Sequence, residues 1–68
     1  MRAYRLITGD DTAAFCHRVT EALSEGWLLH GSPAYAFDAA NGVMRCAQAV
    51  IKDVEGVTYA PDLPLRDL

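Results

Sequence analysis

The first apolar run of the chain predicts a strand that is followed at once by a helix. Residues 3–8 are apolar or β-branched apart from Arg5, and the Gly-Asp-Asp break after them is typical of a strand end. The side chains of Asp10 or Asp11 can accept hydrogen bonds from the free N–H groups at the start of a helix. We therefore predict a first strand, followed by a helix that one of these two aspartates caps.

Apolar residues recur at helical spacing over the next part of the chain. The residues on the apolar side are Phe15, Val19, Ala22 and Leu23. Their spacing of i, i+4, i+7 and i+8 predicts one amphipathic helix. Gly26 follows where a chain leaving a helix often adopts a left-handed conformation, which glycine adopts most readily. The helix is therefore expected to end just before Gly26.

Two further strands follow, and the second of them is expected to be central. Residues 27–38 alternate, with the aromatic side expected beneath the helix, but Pro33 cannot donate to a strand ladder. This strand is expected to lie at an edge or to carry a bulge at residues 31–33. Residues 43–54 are largely apolar and contain neither glycine nor proline, which is typical of a central strand. The prediction is an α+β fold of β-α-β-β order, with a three-stranded sheet in order 1-3-2 and the helix on one face.

The turn at Asn41-Gly42 decides which side of the third strand faces the helix, and two interpretations compete. With a two-residue turn, the core-facing residues are Met44, Cys46, Gln48, Val50 and Lys52. With a three-residue loop at residues 40–42, they are Val43, Ala47, Ala49 and Ile51. We favour the three-residue loop, because it avoids burying an amide and an ammonium group without partners.

The last part of the chain has neither a strand period nor a helix period. Residues 56–68 include two prolines among scattered charges. We therefore assign residues 1–55 to a single domain and residues 56–68 to an irregular or docking tail. If the tail docks, the expected anchors are Tyr59, Leu63 and Leu65.

The length and charge of the chain limit the size of its core and the kinds of partner that it can bind. A domain of 68 residues buries only about 60% of the surface that its unfolded chain exposes, so a partner subunit is a common supplement to its core. Nine acidic and six basic side chains give a net charge of −3, which makes nucleic acid an unlikely partner. No apolar run approaches the ~20 residues needed to cross a membrane, and no secretion signal follows Met1, so we expect a cytoplasmic protein.

The two cysteines and two histidines do not form a recognisable reactive or metal-binding arrangement. Cys16 and His17 are adjacent on the predicted helix, so their side chains point about 100° apart. His30 and Cys46 are expected roughly 13 Å apart on the sheet, too far for a hydrogen-bonded pair. No two of the four have the spacing of a zinc clip. We predict no catalytic residues, no metal, no cofactor and no disulfide.

Two segments of the chain are similar to a known family. They are Gly26-Trp27-Leu28-Leu29-His30-Gly31-Ser32-Pro33 and Ala47-Gln48-Ala49-Val50-Ile51-Lys52, separated by a short hairpin that contains glycine. Over roughly residues 1–54, the chain resembles the small bacterial and phage proteins of domain of unknown function 1737. The resemblance implies no activity, because the family has no assigned catalytic residues.

The face of the sheet opposite the helix supplies the functional prediction. On the favoured register it carries Ile7, Leu28, His30, Ala34, Ala36, Met44, Cys46 and Val50. A face this apolar is typical of a protein interface, so we predict a homo-oligomer, a dimer or larger, that acts as an interaction module without catalysis. The candidate interface residues are Leu28, His30, Met44, Cys46, Gln48 and Val50. An alternative of a different class is a small-ligand site at the subunit interface, near His30, Cys46 and Gln48.

Overall fold

The computed structural model describes all 68 residues and has the expected β-α-β-β order. The elements are β1 (Arg2–Asp10), α1 (Ala13–Ser24), β2 (Leu28–Asp38), β3 (Val43–Asp53) and a 3-10 turn (Leu65–Asp67). The sheet order is β1-β3-β2, with β3 antiparallel to both neighbours, and α1 packs on one face. The predicted α+β class, strand order and single helix are confirmed.

The start of α1 differs from the prediction. Thr12 precedes the helix, and no side chain makes a capping hydrogen bond there. Asp10 instead pairs with Arg45 of β3. The carboxylate of Asp11 accepts a 2.5 Å hydrogen bond from the hydroxyl of Tyr35 on β2. The prediction that either aspartate caps the helix is wrong, because donors on neighbouring strands take up these carboxylates.

The end of α1 follows the predicted pattern. Gly26 has a φ of +96°, a left-handed conformation that glycine tolerates. Its N–H donates to the carbonyl of Leu23 at 3.2 Å, and the N–H of Trp27 donates to the carbonyl of Ala22 at 3.1 Å. These two bonds form a Schellman motif, which satisfies carbonyl groups at the helix end. The chain then turns so that Trp27 is buried in the core.

The bulge expected in β2 is present. The register of β2 against β3 shifts between His30 and Ala34. Residues 31–33 consequently lie opposite Gln48 alone. The buried amide of Gln48 donates to the carbonyl of Gly31 at 3.3 Å and to the carbonyl of its own following residue at 2.9 Å. The prediction that a buried Gln48 amide would lack hydrogen-bond partners is therefore wrong.

The hairpin loop is longer than either predicted alternative. Asp38 pairs with Val43, so the loop has four residues, 39–42. The carbonyl of Asp38 accepts hydrogen bonds from the N–H groups of Asn41 at 3.3 Å and Gly42 at 2.8 Å. Gly42 has a φ of +65°, which favours glycine at the end of the loop. Relative to a three-residue loop, this change of one residue turns every side chain of β3 to the opposite face.

The even-numbered residues of β3 therefore lie on the helix side of the sheet. Gln48 and Val50 are buried there. The favoured prediction placed a different set in the core: Val43, Ala47, Ala49 and Ile51. That prediction is wrong: the residues on the helix side are those expected for a two-residue turn, although only Gln48 and Val50 among them are buried. Ile7 pairs with Gln48 and is also buried, so its predicted place on the opposite face is wrong as well.

The core between α1 and the sheet is small. Its buried apolar residues are Ala3, Ile7, Ala22, Trp27 and Val50. Only 6 of the 68 residues are buried. The tail extends this cluster, because Leu65 and Leu68 pack against it, whereas Tyr59 is exposed. Most of the apolar surface of the sheet therefore lies outside the core.

The helix lies nearest to β1 and leaves most of β2 exposed. Its buried Ala22 packs with Ile7 of β1 and Val50 of β3. Tyr35 and Phe37 of β2 are on the helix side but remain exposed, so the prediction that they lie beneath the helix is wrong. At 12 residues α1 is too short to extend over the whole sheet. With 12 residues, α1 is also too short to span a membrane, and no other helix of the chain is longer.

Candidate interaction surface

No helix packs on the face of the sheet away from α1, which we call the open face. Directly paired residues of antiparallel strands project to the same side, so the open face is built of cross-strand rows. The first row is Tyr4, Ile51 and Leu28. The second is Leu6, Ala49 and His30. The third is Thr8, Ala47 and Ala34, and beyond it lie Asp10, Arg45 and Ala36.

Large apolar side chains project from the first two rows of the open face. Leu28 is 65% exposed, Leu6 is 55% exposed and Tyr4 is 52% exposed. We call these three residues the apolar ridge. Each Å² of apolar surface removed from water stabilises a complex by about 25 cal/mol before the costs of association. A contiguous patch of this kind is typical of an interaction surface.

Small residues form a depression beside the ridge. Its volume is about 490 Å³, and it is lined by Thr8, Ala34, Ala36, Ala47 and Arg45 of the open face, together with Gly9, Tyr35 and Cys46 of the helix side. We call it the alanine trough. The ridge and the trough are neighbours on one face, because the strands place large residues at one end of the sheet and small residues towards the hairpin end.

Ion pairs lie at both ends of the open face. At one end Arg2 Nε is 3.0 Å from Asp53 Oδ1. At the other end Arg45 pairs with Asp10, and its Nε is 3.2 Å from Asp38 Oδ2. These charges leave an apolar centre between two polar ends.

The structure divides the six predicted interface residues between the two faces. Leu28 and His30 lie on the open face. The other four lie on the helix side: Met44, Cys46, Gln48 and Val50. The prediction that all six share one face is wrong, because the four-residue loop shifts β3 relative to the three-residue loop that we favoured. Val50 and Gln48 are buried and belong to the interior.

The three residues of the alternative ligand site are not brought together. His30 lies on the open face, whereas Cys46 and Gln48 lie on the helix side. The amide of Gln48 is already bonded to the carbonyl of Gly31. The geometry therefore gives this trio no common site.

The surroundings of Cys46 and Tyr35 do not activate these two side chains. Both cysteines are free. Burial, with a smaller contribution from the nearby charge of Asp11, raises the pKa of the Cys46 thiol, which keeps it protonated at neutral pH. The hydrogen bond from Tyr35 to Asp11 raises the pKa of the Tyr35 hydroxyl. Nowhere in the chain do three or more His, Cys, Asp or Glu residues lie together so that they could hold a metal ion.

The sequence interpretation missed the three large apolar residues Tyr4, Leu6 and Ile51 of the open face. The signal that could have found them is Asp38, which lies four positions before Gly42. Aspartate is favoured at the first position of a type I turn, and four-residue hairpin loops are often built on such a turn. The length of that loop determines which residues of β3 face the helix. Because β1 pairs with β3, it also determines which residues of β1 lie on the open face.

Comparison with known proteins gives a family and no activity. No curated protein and no solved structure matches the chain. The family model described as Domain of unknown function (DUF1737) matches residues 1–53. The matched part contains all three strands and α1, and it leaves the tail outside. The match confirms the resemblance drawn from the Gly26-Trp27 and Gln48-Ala49 segments, and the chain belongs to the family Domain of unknown function (DUF1737).

Proposed function

We propose that the protein is a homodimeric interaction module whose two copies join through their open faces, without catalysis. The observation that carries the proposal is the apolar ridge of Tyr4, Leu6 and Leu28, whose side chains are all more than half exposed. Exposed apolar surface of this kind favours burial against a partner.

The open face is complementary to itself. In a two-fold dimer the same patch is used on both copies, so a protruding part must meet a recessed part of the same face. The ridge and the alanine trough lie at successive rows along the strands. A two-fold axis that lies in the plane of the contact, perpendicular to the strands and level with the boundary between ridge and trough, sets the ridge of each copy over the trough of the other. This arrangement favours a second copy over an unrelated partner.

The charges at the ends of the face fit the same arrangement. A two-fold rotation brings the end with Arg2 and Asp53 beside the partner end that carries Arg45, Asp10 and Asp38. Each end contains both signs of charge, so opposite charges can be neighbours across the contact. An apolar centre with a charged rim is the usual composition of a specific interface.

The small core gives a further reason for assembly. Five buried apolar residues hold α1 on the sheet, and a chain of 68 residues leaves much of its surface in water. Burial of the ridge would extend the apolar interior through the sheet to its second face. Oligomerisation is one of the common ways in which small domains gain stability.

Two adjacent leucines provide the test. Leu28 is on the open face, whereas Leu29, its neighbour, points to the helix side and is also exposed, at 55%. Light scattering coupled to size exclusion, over a range of protein concentrations, gives the mass of each variant. We expect a dimer for the wild type and for Leu29→Asp, and a monomer for Leu28→Asp, because a carboxylate at the ridge must be desolvated in the contact.

The circular dichroism spectrum of each variant checks that the fold is retained. A wild-type mass equal to one chain at all concentrations would contradict the proposal. A dimer that persists in folded Leu28→Asp would place the contact on another surface.

A further inference from the structure

A cavity lies on the helix side of the molecule, away from the open face. It has a volume of about 290 Å³ and opens between β1, α1 and the 3-10 turn of the tail. Ala22 contributes the only apolar side chain of its wall. The other lining residues are Arg5, Arg18, Glu21, Glu25, Arg66 and Asp67. We call it the charged cavity, and its three positive and three negative side chains have no formal net charge.

The charged groups of the cavity do not pair with one another. Every ion pair of the protein involves Arg2 or Arg45, which lie elsewhere. The three arginines and three acidic residues therefore line the cavity without forming ion pairs across it. Their donors and acceptors are available to a ligand of the cavity's size.

Two of the arginines are held in position by other parts of the fold. The guanidinium of Arg5 stacks over the ring of Trp27, 5.0 Å from its centroid. Arg18 donates from Nη1 to the carbonyl of Thr8 at 2.6 Å. A guanidinium has five N–H donors, so both arginines keep free donors for a ligand carboxylate. Such anchoring reduces the entropy that binding must remove.

The acidic side of the cavity is built on the helix. Glu21 is in the last turn of α1 and Glu25 follows its last residue, four positions later, so both lie on the same side of the helix. Their backbone carbonyls accept hydrogen bonds from Ser24 and Lys52. Neither carboxylate is in an ion pair, so both can accept bonds from a ligand ammonium group.

From this geometry we propose that the charged cavity binds a small zwitterion, an α-amino acid or a dipeptide. The ligand carboxylate is bound by the arginines, and its ammonium group is bound by Glu21 and Glu25. A simple anion would be attracted by the arginines and repelled by the carboxylates. A simple cation would be attracted by the carboxylates and repelled by the arginines. A molecule with separated charges of both signs satisfies both halves. The site is independent of the proposed dimer, because it lies on the other side of the sheet.

Isothermal titration calorimetry of the full chain with L-alanyl-L-alanine tests the proposal. Acetate and methylamine, which each carry one of the two charges, serve as comparison ligands. We expect saturable binding of the dipeptide, at least about tenfold tighter than that of either comparison ligand, because the dipeptide makes charge-assisted contacts with both halves of the cavity and each comparison ligand with only one. The variants Arg66→Gln and Glu21→Gln should each weaken dipeptide binding by about tenfold.

Neither substituted side chain makes a hydrogen bond or an ion pair, so both variants should fold, which the fluorescence of the single tryptophan, Trp27, can check. The matched control is Arg2→Gln, because Arg2 pairs with Asp53 outside the cavity. Its dipeptide affinity should equal that of the wild type. Absence of saturable binding, equal affinity for acetate, or an equal loss in the Arg2 control would overturn the proposal.

Discussion

Asp38 is the side chain that stabilises the hairpin loop. Its Oδ2 accepts hydrogen bonds from Asn41 Nδ2 at 2.8 Å and from Arg45 Nε at 3.2 Å, and its Oδ1 accepts one from the N–H of Ala40 at 3.1 Å. These bonds, led by the one from Asn41, hold the pKa of Asp38 below its usual range. Because loop length sets the register, one carboxylate influences which face of β3 meets the helix.

The lowered pKa of Asp38 predicts a pH-dependent contribution to stability. A carboxyl group whose native pKa is depressed stabilises the fold above its unfolded pKa of about 3.9, and the contribution disappears as the pH falls through the native value. We expect Asp38→Asn to lower the free energy of unfolding at pH 7 and to have progressively less effect as the pH falls from 5 to 2.

Urea unfolding at a fixed protein concentration, followed by the fluorescence of Trp27, measures the difference at each pH. Asp62→Asn is the control, because Asp62 lies in the tail and takes part in no ion pair. A deficit of the Asp38 variant that stays constant between pH 5 and pH 2 would show that its carboxylate charge does not matter.

At the scale of the elements, the junction from α1 to β2 depends on one glycine. Gly26 has a φ of +96°, and a Cβ added there would lie 3.4 Å from Lys52 Cε. Gly9 gives a matched comparison, since an added Cβ would also meet a side chain at 3.4 Å, that of Phe15, but without a positive φ. We expect Gly26→Ala to lower the free energy of unfolding by about 1–2 kcal/mol, and Gly9→Ala to lower it by less.

Thermal and urea unfolding of the two glycine variants measure this difference. Equal losses would mean that the added methyl group, and not the backbone conformation, is responsible. A loss of unfolding free energy in the Gly26 variant alone would show that the junction depends on the left-handed conformation of this residue.

Elements that depend on local patterns could be predicted from the sequence. The helical spacing around Val19, the glycine after α1 and the proline in β2 each depend on a few neighbouring residues. The strand order followed from that proline and from the apolar sequence of β3. The side of β3 that faces the helix could not be predicted in the same way. A difference of one residue in the hairpin loop reverses it, and the hydrogen bonds of Gln48 make burial of an amide acceptable.

The candidate surfaces were predictable only in part, for the same reason. An uncovered face is expected whenever one helix packs on a three-stranded sheet, but the residues that it carries change with the register. The charged cavity needs Arg66 and Asp67 of the tail beside α1. No period in residues 56–68 indicates where the tail docks, because its contacts are with residues distant in sequence.

At the scale of the whole molecule, the two sides of the sheet have different roles. The helix side holds the small core and the charged cavity, and the open side carries the apolar ridge. The chain is elongated, with extents of 43 × 24 × 19 Å, so a large share of its residues lies near the surface. Stability and assembly are therefore expected to be linked, since a partner on the open face would bury apolar groups that the single chain leaves in water.

This linkage predicts that the melting temperature depends on protein concentration. A dimer that dissociates on unfolding gains stability by mass action, and for two chains of this size a hundredfold rise in concentration should raise Tm by roughly 10 °C. Leu28→Asp should melt at a lower temperature that does not change with concentration, whereas Leu29→Asp should keep the dependence. Calorimetry over this range of concentrations makes the measurement. A constant wild-type Tm, together with a dimeric mass at low temperature, would mean that the dimer dissociates before the chain unfolds and that the five-residue core suffices for folding.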